Sequence, residues 1–320
     1  MHYRRLGKTG IKVSEISLGA WVTFGGQVSD EQAIALVHTA YENGINFFDN
    51  ADVYAEGRAE IVMGQAIADL PREALVLSSK VFWPTMPGPN GRGLSRKHIF
   101  ESLHASLRRL NTDYLDIYFC HRFDPDTAID EVVRSMSDLV RQGKILYWGT
   151  SEWHPWQIAI AWGIAQRDGL VPPVVEQPQY NMFHRYRVEE SISPLCREIG
   201  LGLTTWSPLA FGVLTGKYND GIPADSRAAQ SDTAWLRDHI TPQRIAAVRA
   251  LGEIAAQLHI STAQLAIAWL LRRKDVSSVI TGATRRAHLL ENIAAGEAVS
   301  LLSDEVLDNI EAILGNTDEF

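Results

Sequence analysis

The sequence predicts an α/β fold, a closed (β/α)8 TIM barrel. Three observations carry that prediction. About eight apolar, strand-like runs alternate with helical runs, which implies a parallel sheet with helical crossovers. The 320 residues suffice for one large α/β barrel. Each strand-like run also ends in a polar, aromatic or small residue, and barrels gather their chemistry at the C-terminal strand ends. An open doubly wound sheet is the alternative. No Pro/Ser-rich linker or shift in composition divides the chain, so residues 1–320 are expected to form a single domain.

The first segment, "MHYRRLGKTGIKVS", contains "GKTG", read as the turn of an N-terminal β-hairpin that closes the barrel bottom. "ISLGAW" (16–21) is the first barrel strand. In "SDEQAIALVHTAYENG", Ser29 and Gln32 stand as a capping box, and Ala33, Leu36, Val37, Ala40 and Tyr41 form a stripe of helical period that Gly44 stops. "INFFD" (45–49), helical "RAEIVMGQAIADL" and "ALVLSSK" (74–80) follow. "SRKHIFESLHASLRRL" places Ile99, Leu103, Leu107 and Leu110 on one helical face before the strand "YLDIYFCH" (114–121). The helix "TAIDEVVRSMSDLVRQG" leads to "KILYWGTS" (144–151), and "PWQIAIAWGIAQRDG" to the short strand "VVEQ" (174–177). "RVEESISPLCREIG" reads as a helix interrupted near Pro194, ahead of "LGLTTWSP" (201–208). A turn-rich stretch from about 209 to 240 reads as a functional loop. Helical segments at about 241–258 and 261–273, the strand "SSVITG" (277–282) and further helices complete the chain.

Composition narrows the function. Apolar residues make up 46% and charged residues 21%, as in soluble globular proteins. The net charge of −8 argues against general nucleic-acid or anionic-membrane binding, which needs a basic face. It leaves room for a local cationic pocket for one phosphorylated ligand. Cys120 and Cys196 make neither a disulfide framework nor a CxxC site. No HExxH or EF-hand loop is present, so no metal is expected. The N-terminus lacks an apolar signal core, and no run approaches the roughly 20 apolar residues of a membrane span. No membrane insertion and a reducing, cytoplasmic setting are expected. "LGKTG" is not a Walker A loop, because His2 stands where its first glycine belongs. "GLGLTT" breaks the dinucleotide fingerprint at Thr205.

The strand ends bring together Trp21, Asp49, Lys80, His121, Ser151, Gln177, Trp206–Ser207 and Gly282–Thr284. A tyrosine has an ordinary pKa of about 10. A lysine ammonium beside Tyr54 favours its phenolate and lowers that value. Asp49 holds Lys80 charged, and His121 can hydrogen-bond a substrate carbonyl. Tyr54 as acid, surrounded by Lys80, Asp49 and His121, is suited to protonating a carbonyl oxygen. Hydride must then come from a cofactor. Trp21 and Trp83, with Tyr54 and His121, are candidate substrate-pocket walls. Cys120 should point away from His121 on its strand and be buried.

"RLGKTGIKVSEISLGAWVTFGGQ", "GINFFDNADVY", "GLSRKHI", "YWGTSEW", "EQPQYNMF", "TWSPLAFGVLTGKY" and "QLAIAWLL" resemble the aldo-keto reductases over nearly the whole chain. They are similar in particular to the branch that holds the β subunits of voltage-gated potassium channels and their bacterial homologues. The resemblance implies NADPH lying across the strand ends, the tetrad Asp49, Tyr54, Lys80 and His121, and transfer of the pro-R hydride to a small carbonyl substrate. It implies cofactor contacts from Trp21, Gln27, Asp49 and Glu152, with Ser151 and Gln177 near the carboxamide and Trp206 stacked on the nicotinamide. Ser207, Pro208, Leu209, Ala210, Phe211, Gly212 and Leu214 would line the pyrophosphate, with Lys217 and Arg227 clamping from the long loop. Gly282, Thr284, Arg285, His288, Glu291 and Asn292 would hold the adenosine end.

Departures stand at His121, where the channel subunits carry asparagine, and at Glu152, Asp225 and His288. The first favours an ordinary reductase; the others bear on NADPH affinity. The branch suggests a homotetramer. An alternative is an NADPH-binding regulatory subunit with slow turnover and a membrane-channel partner. A third reading makes Lys80 the Schiff-base nucleophile of a lyase.

Overall fold

In the computed structural model, which describes residues 1–231 and 233–315, β1 (Tyr3–Arg5) and β2 (Lys12–Ser14) form an antiparallel hairpin. Its turn runs against the end of a later helix. Gly7 there has φ 57, and a Cβ would stand 2.4 Å from the Gly200 carbonyl oxygen, so only glycine fits.

Eight further strands are β3 (Ile16–Gly19), β4 (Phe47–Asp49), β5 (Val76–Val81), β6 (Leu115–Cys120), β7 (Ile145–Ser151), β8 (Val175–Gln177), β9 (Gly202–Thr205) and β10 (Val276–Thr281). They close into a barrel in chain order, with β10 paired to both β9 and β3. Every neighbouring pair is parallel. β4, β5, β6, β8 and β10 are buried at every residue, as expected of strands covered on both faces. The closed barrel, rather than the open sheet, is the observed arrangement.

The helices are α1 (Asp30–Glu42), α2 (Arg58–Ala66), α3 (Arg96–Leu110), α4 (Ile129–Arg141), α5 (Pro155–Asp168), α6 (Ser193–Ile199), α7 (Pro242–Gln257), α8 (Thr262–Leu271), α9 (Arg286–Ala294) and α10 (Asp304–Leu314). Local chemistry sets their ends. Ser29 and Gln32 make the reciprocal capping box of α1. Asn111 ends α3 in the left-handed region, and Gly169 does the same for α5. Pro194 lies in the first turn of α6, where its missing N–H costs nothing; the turn before it, Arg187–Ile192, is wider than an α-helix. The 209–240 stretch is a succession of 3-10 turns, at Ala210–Thr215, Arg227–Ala229 and Ala234–His239. Asp232 of that loop, and residues 316–320 of the expected domain, lie outside the described residues.

The barrel interior divides into two layers. Leu6 and Val13 of the hairpin segment pack with Phe47, Val76, Ile117, Phe119 and Val175 in one apolar cluster that plugs the bottom. Side chains alternate along a strand, so residues two further on share the inward face. Phe47 is followed inward by Asp49, Val76 by Ser78 and Lys80, Phe119 by His121, and Val175 by Gln177. The inward face thus turns polar at the C-terminal mouth. Outward residues Phe48, Leu77, Tyr118 and Cys120 join the larger cluster shared with the helices.

Candidate active site

Asp49 ends β4 and Lys80 lies near the end of the neighbouring β5. The Lys80 Nζ donates to Asp49 Oδ2 at 2.7 Å, to the Asn50 carbonyl at 2.7 Å and to the Tyr54 hydroxyl at 3.1 Å. Those three acceptors account for all three ammonium donors. Ser78 Oγ and Gln177 Nε2 donate to the other Asp49 oxygen at 2.7 and 3.1 Å. Both charges are buried, which is tolerable because each is paired and hydrogen-bonded. The chain past β4 stays on the β5 edge, with Asn50 N bonded to Ser78 O and Asp52 N to Lys80 O, and this returns Tyr54 over Lys80. Ala55 and Glu56 then take left-handed φ values of 48 and 55. Such strain in non-glycine residues persists only where the surrounding fold holds it.

Electrostatics assign protonation states. Burial pushes the Tyr54 phenol above its ordinary value, and the nearby Lys80 charge opposes this without overcoming it. Lys80 thus does not lower the phenol outright, contrary to what its position in the sequence predicts; desolvation of the phenolate is the larger effect. The result is a phenol held protonated, beside an ammonium that would stabilise phenolate once the proton leaves. Burial also disfavours charge on Lys80, but the attraction and hydrogen bonds of Asp49 and Tyr54 together hold it above its ordinary value. A buried, fully hydrogen-bonded ammonium is no Schiff-base nucleophile, which must be neutral and accessible. Burial, then Lys80 and Arg122, push His121 well below the ordinary histidine range, so it is a neutral imidazole. Its ring lies 5.8 Å from that of Tyr54 and 6.4 Å from that of Trp83.

The tetrad opens on a cavity of about 1030 Å³. Trp21, Tyr54, Trp83 and His121 line it; Trp206, 5.7 Å from Trp21 and nearly perpendicular to it, lines it too. Ser207, Ala210, Phe211 and Gly212 all have positive φ, which winds the backbone tightly behind Trp206. Lys217 and Arg227 line the cavity and form no ion pair among the described residues. Burial, and for Lys217 the neighbouring Arg227, push both below their ordinary values. Asp225 attracts Lys217 without pairing with it, so these two desolvated cations suit an anion. Gln27 Oε1 and His121 Nδ1 are buried at this cavity with no protein partner among the described residues. These features fit a phosphorylated dinucleotide.

Most residues singled out in the sequence line the same cavity: Trp21, Gln27, Asp49, Ser151, Gln177, Trp206, Ser207, Pro208, Leu209, Phe211, Gly212, Lys217, Arg227, Gly282, Thr284, Arg285, His288, Glu291 and Asn292. Lys80, Glu152, Ala210 and Leu214 do not. Lys80 acts through Tyr54, and Ala210 and Leu214 pack in the core. Glu152, with φ 59, turns away from the cavity: its carboxylate accepts the Trp206 indole N–H at 2.9 Å and pairs with Arg187 at 2.5 Å. It braces Trp206 from behind. Arg285 is engaged by Asp225 at 3.1 Å across the cavity rim.

Ser78, Asn50 and Arg122 were not singled out. Ser78 shares the inward face with Lys80, so strand alternation pointed to it. Arg122 directly follows His121, and only its path back toward the cavity brings it in. Asn50 acts through its backbone carbonyl, which side-chain identity does not signal.

A buried Asp–Lys–Tyr chain at the mouth of a parallel barrel, beside cations without an ion pair among the described residues, is an arrangement suited to oxidoreductase chemistry. The sequence model of the Aldo/keto reductase family matches residues 15–314, and the chain belongs to that family. It is 52% identical over 318 residues, 98% of this chain and 97% of the relative, to an Arabidopsis thaliana protein named "Probable voltage-gated potassium channel subunit beta". A rice protein of the same name, from Oryza sativa subsp. japonica, is 51% identical over the same extent. Among the described residues no single helix is long and apolar enough to cross a membrane.

Proposed function

We propose that residues 1–320 act as one barrel domain, an NADPH-dependent reductase converting aldehydes and ketones to alcohols, working in the cytoplasm as a homotetramer. The observation that carries the reading is the hydrogen-bonded chain from Asp49 through Lys80 to the Tyr54 hydroxyl, opening beside neutral His121. The dinucleotide, when bound, supplies the hydride. Tyr54 donates its proton to the carbonyl oxygen as the alcohol forms, and the Lys80 ammonium offsets the phenolate charge. His121 offers an uncharged hydrogen bond that orients the carbonyl. Trp206, braced by Glu152, would hold the nicotinamide, and Lys217, Arg227 and Arg285 would hold the phosphates.

Absorbance of NADPH, followed with small aldehydes, ketones and glyoxals and with NADH in parallel, tests this. Rapid NADPH loss is expected. Tyr54→Phe should lower turnover by about 10²–10⁴-fold while NADPH still binds. Near-normal turnover in that variant would remove Tyr54 from the role. A second reading follows from the names of the plant relatives. In it the chain binds NADPH, turns it over slowly and associates with a membrane channel. Tight NADPH binding with almost no consumption, together with recovery of a channel from membranes, would favour it.

A further inference from the structure

We propose that the site takes carbonyl compounds carrying a carboxylate next to the carbonyl-bearing group, and that Arg122 binds that carboxylate. This deepens the reductase reading and rests on it.

Arg122 lines the cavity with Tyr54, Trp83, His121 and Ser151. Its guanidinium carbon lies 5.8 Å from the Trp83 ring, which is 6.4 Å from the His121 ring. Nη1 donates to the His121 carbonyl at 2.5 Å and lies 3.5 Å from Ser151 Oγ. No carboxylate pairs with Arg122 among the described residues, and its Nε and Nη2 have no protein acceptor there. The carboxylates around it are all committed. Asp49 is held by Lys80, Ser78 and Gln177. Glu152 is held by Arg187, Trp206 and the Gln179 backbone N–H. Asp124 accepts from the Leu94 and Asp126 backbone and from Thr127.

Local charge makes the same point. Asp49 and Lys80 cancel, and Tyr54 and His121 are neutral, so Arg122 leaves one positive charge beside the reacting centre. Arg122 is among the charges that act on Tyr54 and His121, whereas Lys217 feels Arg227 at the dinucleotide loop. The phosphates that satisfy that loop do not account for Arg122. A guanidinium presents a planar fork that matches a carboxylate in two hydrogen bonds. The Trp83 indole beside it suits a flat apolar body.

Two measurements test this. The first compares kcat/KM with NADPH for phenylglyoxylate and for 2-carboxybenzaldehyde against the methyl ester of each, in the wild type, Arg122→Gln and Arg122→Lys. For at least one pair the anion-to-ester ratio should fall about tenfold or more in Arg122→Gln, with Arg122→Lys between. The double ratio cancels the intrinsic reactivity of each carbonyl. The second follows quenching of tryptophan fluorescence by benzoate, which cannot be reduced. Benzoate should bind about tenfold or more weakly to Arg122→Gln, with benzamide as the neutral control. Unchanged ratios in every pair and an unchanged benzoate Kd would overturn the assignment even if the esters are reduced. Failure of the wild type to reduce any ester or anion would overturn the reductase reading and this inference with it.

Discussion

Asp52 lies two residues before Tyr54, fully enclosed, with Ser102 Oγ donating to its Oδ2 at 2.6 Å and its Oδ1 without a partner among the described residues. Burial pushes its carboxyl up to about 7 from an ordinary 3.8, while the Ser102 hydrogen bond works the other way. The folded value exceeds the unfolded one, so folding favours the protonated form. Its stabilising contribution is complete below pH about 3.8 and is lost as pH rises through about 7. Asp52→Asn keeps the shape without the titration. The unfolding free energy of the variant minus that of the wild type should rise steadily from pH 4 to pH 8 in urea titrations; a flat difference would remove Asp52 as a titrating group. At this scale the sequence was readable where a residue's type announces its chemistry, as at Asp49, Tyr54, Lys80 and His121. It was opaque where direction matters. Glu152 adjoins Ser151 in the chain, yet its left-handed backbone turns it onto Trp206 and Arg187.

Elements carry their own tests. Gly149 lies in the middle of β7, where a Cβ would stand 2.4 Å from both the Val175 Cγ1 and its carbonyl oxygen. Gly149→Ala must therefore push β7 from β8 and should cost about 1–3 kcal/mol, read as a lower urea midpoint. An unchanged midpoint would mean that the barrel wall yields freely there. The long loop is tied to the start of α9 by the exposed Asp225–Arg285 pair at 3.1 Å. Removing the carboxylate in Asp225→Ala frees Arg285 for a ligand phosphate. NADPH should bind severalfold more tightly, by titration; weaker NADPH binding would instead make Asp225 a clasp that holds the loop over its ligand. The α1 capping box and the strand sites were legible because period and cap are local properties. The wide turn at Arg187–Ile192 and the 3-10 turns of the long loop were not, since no local periodicity announces them.

The whole molecule carries a net charge of −8, yet Lys217, Arg227 and Arg285 all face one cavity. The attraction for a dinucleotide phosphate is local and partly screened by salt. NADPH should therefore bind several times more weakly as salt rises from about 0.05 to 0.5 M, with nicotinamide riboside much less affected. Salt-independent NADPH binding would place the phosphates away from these cations. The sequence by itself determined the alternation of strand and helix, the polar residue at each strand end and the helix stops, because periodicity, capping and side-chain chemistry are written in neighbouring residues. The closed barrel, and Lys80 beside Tyr54, were expected from the sequence; only the tertiary structure decided the pairing that closes the sheet, β10 on β3, and the backbone path that returns Tyr54. It also decided that burial outweighs Lys80 in setting the Tyr54 phenol, and that Arg122 is left without a carboxylate. Closure, desolvation and charge pairing depend on groups far apart in the chain, and no local pattern encodes which of them meet.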